Sequence, residues 1–346
     1  MGDHQWLLLE AISMRPSVIA QGHQLREFVS MEKLLRRNPH RYDVKEAVLR
    51  AASSAIGSVK TTADGNRLIV TEPVVMTDGR VHGVQVWTGP CHLAWPQRPE
   101  IGALVWDLTE GVATDSPQAL INSGMDPSVE RTHGRALAED LPIREANGDE
   151  SKVLALAMSA KSGQTYCSTW EVKAHTGEMI RVNFAARTAW ERWSDGTNHL
   201  VARAMNWRSP SELLGESRSD LANRIIRGTA QNGVHRALVD LGNWRLLKWI
   251  DLPSPYIDWR GEEKGRPLVH PGDMPQLESM TTRFIAGPVS AVLRMRARGG
   301  RWVRLHVTVY RIEVDDGVHA GLISTRLHTS GDLADSISTD ISVNLW

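Results

Sequence analysis

The chain has 346 residues, enough for two or three domains, and 41% of them are apolar and 23% charged, as in ordinary globular proteins. Forty Lys and Arg balance forty Asp and Glu, so no global field draws nucleic acid or an acidic membrane. No apolar run approaches the roughly 18 residues that span a bilayer. The start lacks a signal-peptide pattern, and Cys91 and Cys167 alone cannot build a disulfide framework; a cytoplasmic location is expected.

In chain order, residues 6–12 and 16–19 read as two short strands round a Pro-containing turn. Residues 43–55 place Val44, Ala47, Val48, Ala51 and Ala55 at helical spacing. Short segments at 58–60 and 68–70 flank Asp64-Gly65. Glu72-Pro73 interrupts the second, which marks an edge or a bulge. Asp78-Gly79 then opens Arg-Val-His-Gly-Val-Gln-Val-Trp, a tight turn feeding a last strand. The order recurs. Residues 103–108 open a second unit, 151–160 form a helix, 166–172 and 179–185 are strands round Thr176-Gly177, and Asp195-Gly196 starts a closing strand. Residues 211–243 carry Leu213, Leu214, Leu221, Ile225, Val234, Leu238 and Leu241 broadly at helical spacing. They read as a connecting helix broken near 228–233, packed on its own chain or used for signalling or dimerisation. A third unit repeats the strand pair of the first at 244–250 and 253–257. It continues with a helix at 274–284, strands at 289–296 and 301–310, and a closing strand opened by Asp316-Gly317. The tail after Thr329 is rich in Ser and Asp.

The three closing Asp-Gly turns lie roughly 120 residues apart, the size of a whole small domain and too long for a solenoid repeat. The expected class is α+β: three serial domains, each a five-stranded antiparallel sheet with helices on one face, plus the connecting helix. The boundaries read as 1–98, 99–209, 210–243 for the connecting helix, 244–329, and 330–346 for the tail. Strand alternation puts Val303, Leu305, Val307 and Val309 on one face and Ile180, Val182 and Phe184 on the matching face of the second unit. Those faces should look toward the helices. Ile180, Val182, Phe184, Val303, Leu305 and Val307 are the candidate lining of a small-molecule pocket, unless the same faces form a filled core.

The third unit resembles a PAS domain in Leu268-Val269-His270-Pro271-Gly272-Asp273, in Leu293-Arg294-Met295-Arg296, in Gly299-Gly300-Arg301-Trp302-Val303, and in the Asp316-Gly317 closing strand. The second is similar in its Gly177 hairpin and Asp195-Gly196 strand but lacks the His-Pro turn. The first is PAS-like or GAF-like. The whole chain is similar to a mycobacterial family of unknown function whose members carry three sensor-type domains. The similarity is carried by Trp6-Leu7-Leu8, by Val18-Ile19-Ala20-Gln21-Gly22, and by residues 71–87 from Thr71-Glu72-Pro73 to Gln85-Val86-Trp87. That resemblance implies sensing, not a known reaction.

Other polar groups read as structural. Asp273 is placed to cap the helix that follows it. His82, His199 and His319 read as independent surface residues, and both cysteines as buried and inert. Arg181 and Arg304 occupy matching positions on the outer faces; they cover apolar surface or hold an anion. Asp258, Glu262 and Glu263 lie beside Tyr256 and Trp259 and read as a solvated loop rather than an acid pair. Most of the 13 tryptophans should pack in cores. No nucleotide, hydrolase or zinc-protease motif is present, and no histidine pair has metal spacing. Three readings follow. The first is a sensor without an output domain or enzyme activity, taking a small ligand of unknown identity and relaying to a protein partner. The second is a ligand-free, homodimeric scaffold. The third is an enzyme acting on a phosphorylated metabolite, with Arg181 or Arg304 on the phosphate.

Overall fold

The computed structural model describes residues 5–141, 149–210, 220–260, 268–283 and 287–329. Three antiparallel sheets succeed one another. The first comprises β1 (Leu7–Glu10), β2 (Ser17–Gln21), β3 (Gln24–Ser30), β4 (Ser58–Thr61), β5 (Arg67–Val75) and β6 (Val81–Pro90), in the order β3-β2-β1-β6-β5-β4. The second holds β7 (Gly102–Asp107), β8 (Val112–Asp115), β9 (Arg135–Ala136), β10 (Thr165–Lys173), β11 (Met179–Arg192) and β12 (Asn198–Arg208), in the order β10-β11-β12-β7-β8-β9. The third holds β13 (His235–Asp240), β14 (Leu246–Trp249), β15 (Val289–Arg296), β16 (Trp302–Asp315) and β17 (Val318–Leu327), in the order β14-β13-β17-β16-β15. The wiring is the same each time. The first strand of a domain pairs with its last, as in Leu9↔Val84, Ala103↔Met205 and Leu238↔Leu322, and a three-stranded meander fills the other half.

The three Asp-Gly turns close these meanders as expected. Gly79, Gly196 and Gly317 adopt φ of 83°, 87° and 68°, the left-handed region a tight hairpin needs and a Cβ resists. The first two sheets carry a sixth strand beyond the expected five, β3 and β9. Pro73 sits where β4 no longer covers β5, because β4 pairs only with Leu68 to Thr71, and a bulge follows at Val74/Val75. A proline without an amide donor is tolerated there.

The helices are α1 (Met31–Leu35), α2 (Arg41–Ser54), α3 (Pro117–Asn122), α4 (Glu150–Ser159), α5 (Asp220–Gly228) and α6 (Met274–Arg283). The chain divides into two compact units, one holding the first two sheets and the other the third. In the first unit, α2 lays Val44, Ala47, Val48 and Ala51 on Leu9, Val18, Ile69, Val84 and Val86. The opposite face of that sheet packs Leu8, Ile19, Val74 and Met76 against Ala103, Ala185, Met205 and Trp207 of the second sheet. The two faces meet so closely that a Cβ on Gly83 would lie 2.6 Å from Met205 Sδ.

Residues 210–243 do not form one connecting helix. Among the described residues of this stretch only α5 is helical, and Leu238 lies in β13, the inner strand between β14 and β17. β13 is covered on both faces at Ala237, Leu238 and Val239, which are all buried and apolar and so lose the alternation that distinguishes strand from helix. Leu213, Leu214 and the tail after Thr329 lie outside the described residues. Residues 253–257 are not a strand either. β14 turns back on β13, with Ala237 opposite Trp249, and Pro253 and Pro255 have no amides to offer a ladder. The loop instead carries Ile257 into the core of the third sheet.

Candidate functional site

A cavity of about 220 Å³ lies inside the C-terminal domain. Every strand of the third sheet contributes to its wall: Val239 of β13, Leu246 and Trp249 of β14, Leu293 and Met295 of β15, Val307 of β16, and Ile323 and Thr325 of β17. The opposite wall is Met274 and Leu277 of α6, Ile257 and Trp259 of the loop after β14, and Leu268 and Val269. Local pairing holds that last segment in place. Val269 bridges Met295, the His270 amide donates to the Arg294 carbonyl at 2.8 Å, and the Arg296 amide donates to the Leu268 carbonyl at 2.8 Å.

Asp273 secures the same corner, although not as a helix cap. Its carboxylate accepts from the Arg294 amide at 2.7 Å and from Arg294 Nη2 at 2.5 Å, and the guanidinium holds this carboxyl below the usual range. The lateral partner wins because β15 runs past the turn with both an amide and a cation in reach. His270 caps the short turn, its Nδ1 accepting from the Gly272 amide at 2.9 Å.

The β13–β14 turn places Trp244 at the cavity with φ of 60°. A bulky residue in the left-handed region costs of order 1 kcal/mol or more. Asn243, at the same turn, is exposed and marks the rim. Thr325, the other polar lining residue, donates its hydroxyl to the His235 carbonyl at 3.1 Å. Trp249 is 0% exposed, and its indole Nε1 has no hydrogen-bond partner. A buried donor left unpaired costs about 1–3 kcal/mol.

Of the six residues expected to line a pocket, Val307 lines this cavity. Leu305 and Val303 belong to the packed core beside it. In the middle domain, Ile180 and Val182 pack with Ala174 and Val172, while Phe184 stacks on Trp106 at 5.2 Å and meets Tyr166 at 6.0 Å. Ile180 and Val182 are buried in these contacts and Phe184 is half-buried. Their alternation was legible, but whether facing side chains meet or leave space depends on elements far away in sequence. The tryptophans of the cavity could be suspected only from their density around residues 244–259.

A second concentration of polar groups lies at the seam of the first unit. Arg203 of β12 donates from Nε to Glu191 at 2.6 Å, from Nη2 to Glu191 and Asp78 at 2.8 Å each, and from Nη1 to His82 Nε2 at 2.8 Å. Arg80 adds a 2.8 Å pair to Glu191. Burial pushes the Asp78 and Glu191 carboxyls up, but Arg203 and its neighbours outweigh it and hold both below the usual range. Asp78, Arg80, Glu191 and Arg203 border a cleft of about 440 Å³. Two arginines face two carboxylates there, so the cations are taken up by partners rather than offered to a phosphate.

His82 and His199 are not surface residues. Both are buried, His82 beneath Ala204 and Arg203 of the second sheet and His199 beneath the Trp193 ring. His82 Nδ1 donates to the Ala204 carbonyl at 3.0 Å, leaving Nε2 to accept from Arg203. Burial, with Arg203 beside it, drops the His82 pKa to about 4. His199 pairs with Asp107 at 2.7 Å and stacks under Trp193 at 4.0 Å. Cys91 is exposed, not buried, because it follows the last residue of β6. Burial pushes the Cys167 thiol up to about 12. Arg181 pairs with Glu171 at 2.6 Å and Arg304 is exposed. Asp258 is buried against Arg296 at 3.6 Å, and Glu262 and Glu263 lie outside the described residues. Among the described residues no cluster of three His, Cys, Asp or Glu could hold a metal ion, and no helix is long and apolar enough to cross a membrane.

Fold and cavity together define a three-domain α+β chain, dominated by its sheets, with a small apolar chamber in its last domain. The chain belongs to the Rv3651-like family: the N-terminal, middle and C-terminal domain profiles of that family match residues 5–97, 100–209 and 219–336. A crystal structure of an uncharacterized protein from Mycobacterium tuberculosis is similar over 96% of this chain and 99% of that one, with 46% identity and a TM-score of 0.87. Two sensory proteins are distantly similar. A sensory box histidine kinase/response regulator from Burkholderia thailandensis E264 matches over 38% of this chain and 89% of its own, at 18% identity and a TM-score of 0.25. An RNA-binding light-oxygen-voltage receptor matches over 97% and 99%, at 10% identity and a TM-score of 0.24. Likenesses this weak carry no functional argument. No curated protein matches the chain.

Proposed function

We propose that the protein is a sensor without catalytic activity, working in the cytoplasm, whose C-terminal domain binds a small molecule and reports it to a protein partner. The observation that carries this reading is the apolar pocket of about 220 Å³ to which every strand of the third sheet contributes. An apolar pocket left open beside a core forfeits contacts that packing for stability alone would make.

A route out of the cavity starts at β13. Val239 on this strand lines the chamber, and Arg236 on the same strand grips the end of α5. Its Nη2 donates to the Ile226 carbonyl at 2.8 Å and its Nη1 to Thr229 Oγ1 at 2.8 Å, while Nε holds Asp251 at 2.7 Å. Ligand entry that moves β13 against β14 would change how firmly α5 is held, and a partner reading α5 would sense the population shift.

Native mass spectrometry of gently purified protein tests the binding step. A reproducible retained small molecule is the expected result; a clean apo mass on repeated preparations argues against the sensor. Hydrogen exchange at residues 224–229 tests the relay. Protection there should change when the molecule is removed, and should be lost in Arg236→Ala whether or not it is bound.

A further inference from the structure

The β11–β12 hairpin runs past the strand beside it. β10 pairs with β11 only as far as Thr165 opposite Arg187. One further exchange follows: the Thr188 amide donates to the Gln164 carbonyl at 2.9 Å, and the Thr188 carbonyl accepts from the Gly163 amide at 2.8 Å. At Gly163, with φ of 85°, the neighbouring chain turns away. β11 itself continues to Arg192, held on its other side by β12, with Trp190 opposite Leu200 and Arg192 opposite Asn198.

Along a strand the backbone groups of successive residues point to opposite sides. Those of Thr188 point toward β10, so those of Trp190 and Arg192 point the same way. Leu200 agrees: its amide donates to Thr109 Oγ1 and its carbonyl accepts from the Leu108 amide, both beyond β12. Among the described residues nothing meets the Trp190 and Arg192 backbone groups on the open side. Such an edge is a template for another strand. Its carboxylate does not guard it, because Glu191 turns to the seam and is tied to Arg203 and Arg80. Trp190 stands 60% exposed on the face it shares with Arg192.

We infer that this edge pairs antiparallel with the same edge of a second copy of the chain, about a two-fold axis through Glu191. The register follows from what is open. Centred on Trp190, the pairing would set Arg192 against Thr188, whose groups are already taken. Centred on Arg192, it would bring the two guanidinium groups together and set Trp190 against Ser194 in the turn. Centred on Glu191, each Trp190 faces Arg192 of the second copy, and every open amide and carbonyl finds a partner. Each exposed indole then lies beside a guanidinium, a cation–π pair. On the other face Ala189 meets Trp193, so a small side chain leaves room for a ring that is 44% exposed. The Glu191 carboxylates approach each other already neutralised by their own arginines.

Sedimentation velocity of the full chain, from low to high micromolar concentration, tests this. Wild type should shift reversibly from monomer to dimer. Trp190→Lys sets like charges across the pairing, and Arg192→Pro removes an amide that bonds to nothing within the chain. Each should raise the dimer dissociation constant at least about tenfold. Trp190→Lys combined with Arg192→Glu restores opposite charges and should return the constant toward the wild-type value, which only the register centred on Glu191 allows. Trp190→Lys changes an exposed side chain, so the test stands if Arg192→Pro fails to fold.

A wild type that stays monomeric throughout overturns the inference and leaves the edge to an extended segment of another protein. A dimer that no variant weakens also overturns it, since the interface then lies elsewhere. A dimer weakened by each single change but not recovered by the pair overturns the register. The C-terminal pocket takes no part in this pairing, so the sensor reading stands or falls by its own test.

Discussion

Trp207 and Trp249 are both 0% exposed and yet live in opposite surroundings. Trp207 lies in the seam between the first two sheets, where Leu8, Ile19, Met76 and Met205 fill the space around it and its indole donates to the His23 carbonyl at 3.1 Å. Trp249 lines a cavity and its indole donates to nothing. Burial is equal; satisfaction is not. The seam is built as a structural joint, with apolar faces interdigitated and each charge of the Arg203 cluster answered by another. The chamber of the third domain keeps space and an unmet donor, the two things a stability-driven core eliminates. Function is therefore better sought in the incompletely satisfied region than in the one richest in charge.

The sharpest test of that contrast is Arg203→Met. Removing the cation leaves Glu191 buried without its main partner and His82 Nε2 without its donor, and should cost about 3–5 kcal/mol in urea denaturation of the first unit. A change below about 1 kcal/mol would mean that the seam does not depend on its charges.

Protonation probes the same joint. The folded-state pKa of His82 is about 4 against an ordinary 6.5. As pH falls below 6.5 the unfolded chain takes up a proton that the folded chain refuses, so stability declines from pH 6.5 down to about 4. The loss is on the order of 3 kcal/mol and levels off below the folded value. His82→Asn should remove this slope. Asp78 and Glu191, whose carboxyls are held low, add a further loss that begins as pH falls through the ordinary carboxylate range and is complete below their depressed folded values. Stability against pH for wild type and variant, measured side by side, reads both effects.

Packing gives a smaller and more direct comparison. Ala185→Phe adds a ring to the filled seam and should destabilise by about 1–3 kcal/mol. Val307→Phe adds one beside existing space and should change stability by less than about 1 kcal/mol in either direction. Thermal melts of the two variants decide it. Equal losses would mean that the chamber closes on itself in solution.

The smallest effect concerns Cys91 and Cys167. Exposed Cys91 should react with a thiol reagent in the folded protein. Cys167, whose thiol is pushed up to about 12, should react only on unfolding. Mass spectrometry after brief alkylation separates them.

Much of this architecture is determined by the amino-acid sequence alone. The Asp-Gly turns near residues 78, 195 and 316 dictate three hairpins, because few other residues accept their backbone angles. Alternation along β16 dictates which side is buried, since one step of register would turn every valine outward. The tertiary structure decided the rest. The apolar run of β13 looks alike as helix or inner strand until β14 and β17 are placed beside it. His82 reads as surface until a second sheet covers it. Phe184 and Val307 follow the same rule of alternation, yet one meets Trp106 and the other faces a cavity. Periodicity is a property of neighbours in the chain, while filled or open space depends on what folds against that face from elsewhere in the sequence. The ligand chamber belongs to the second kind, and only three-dimensional packing brings Val239, Trp249, Leu277 and Val307 around one space.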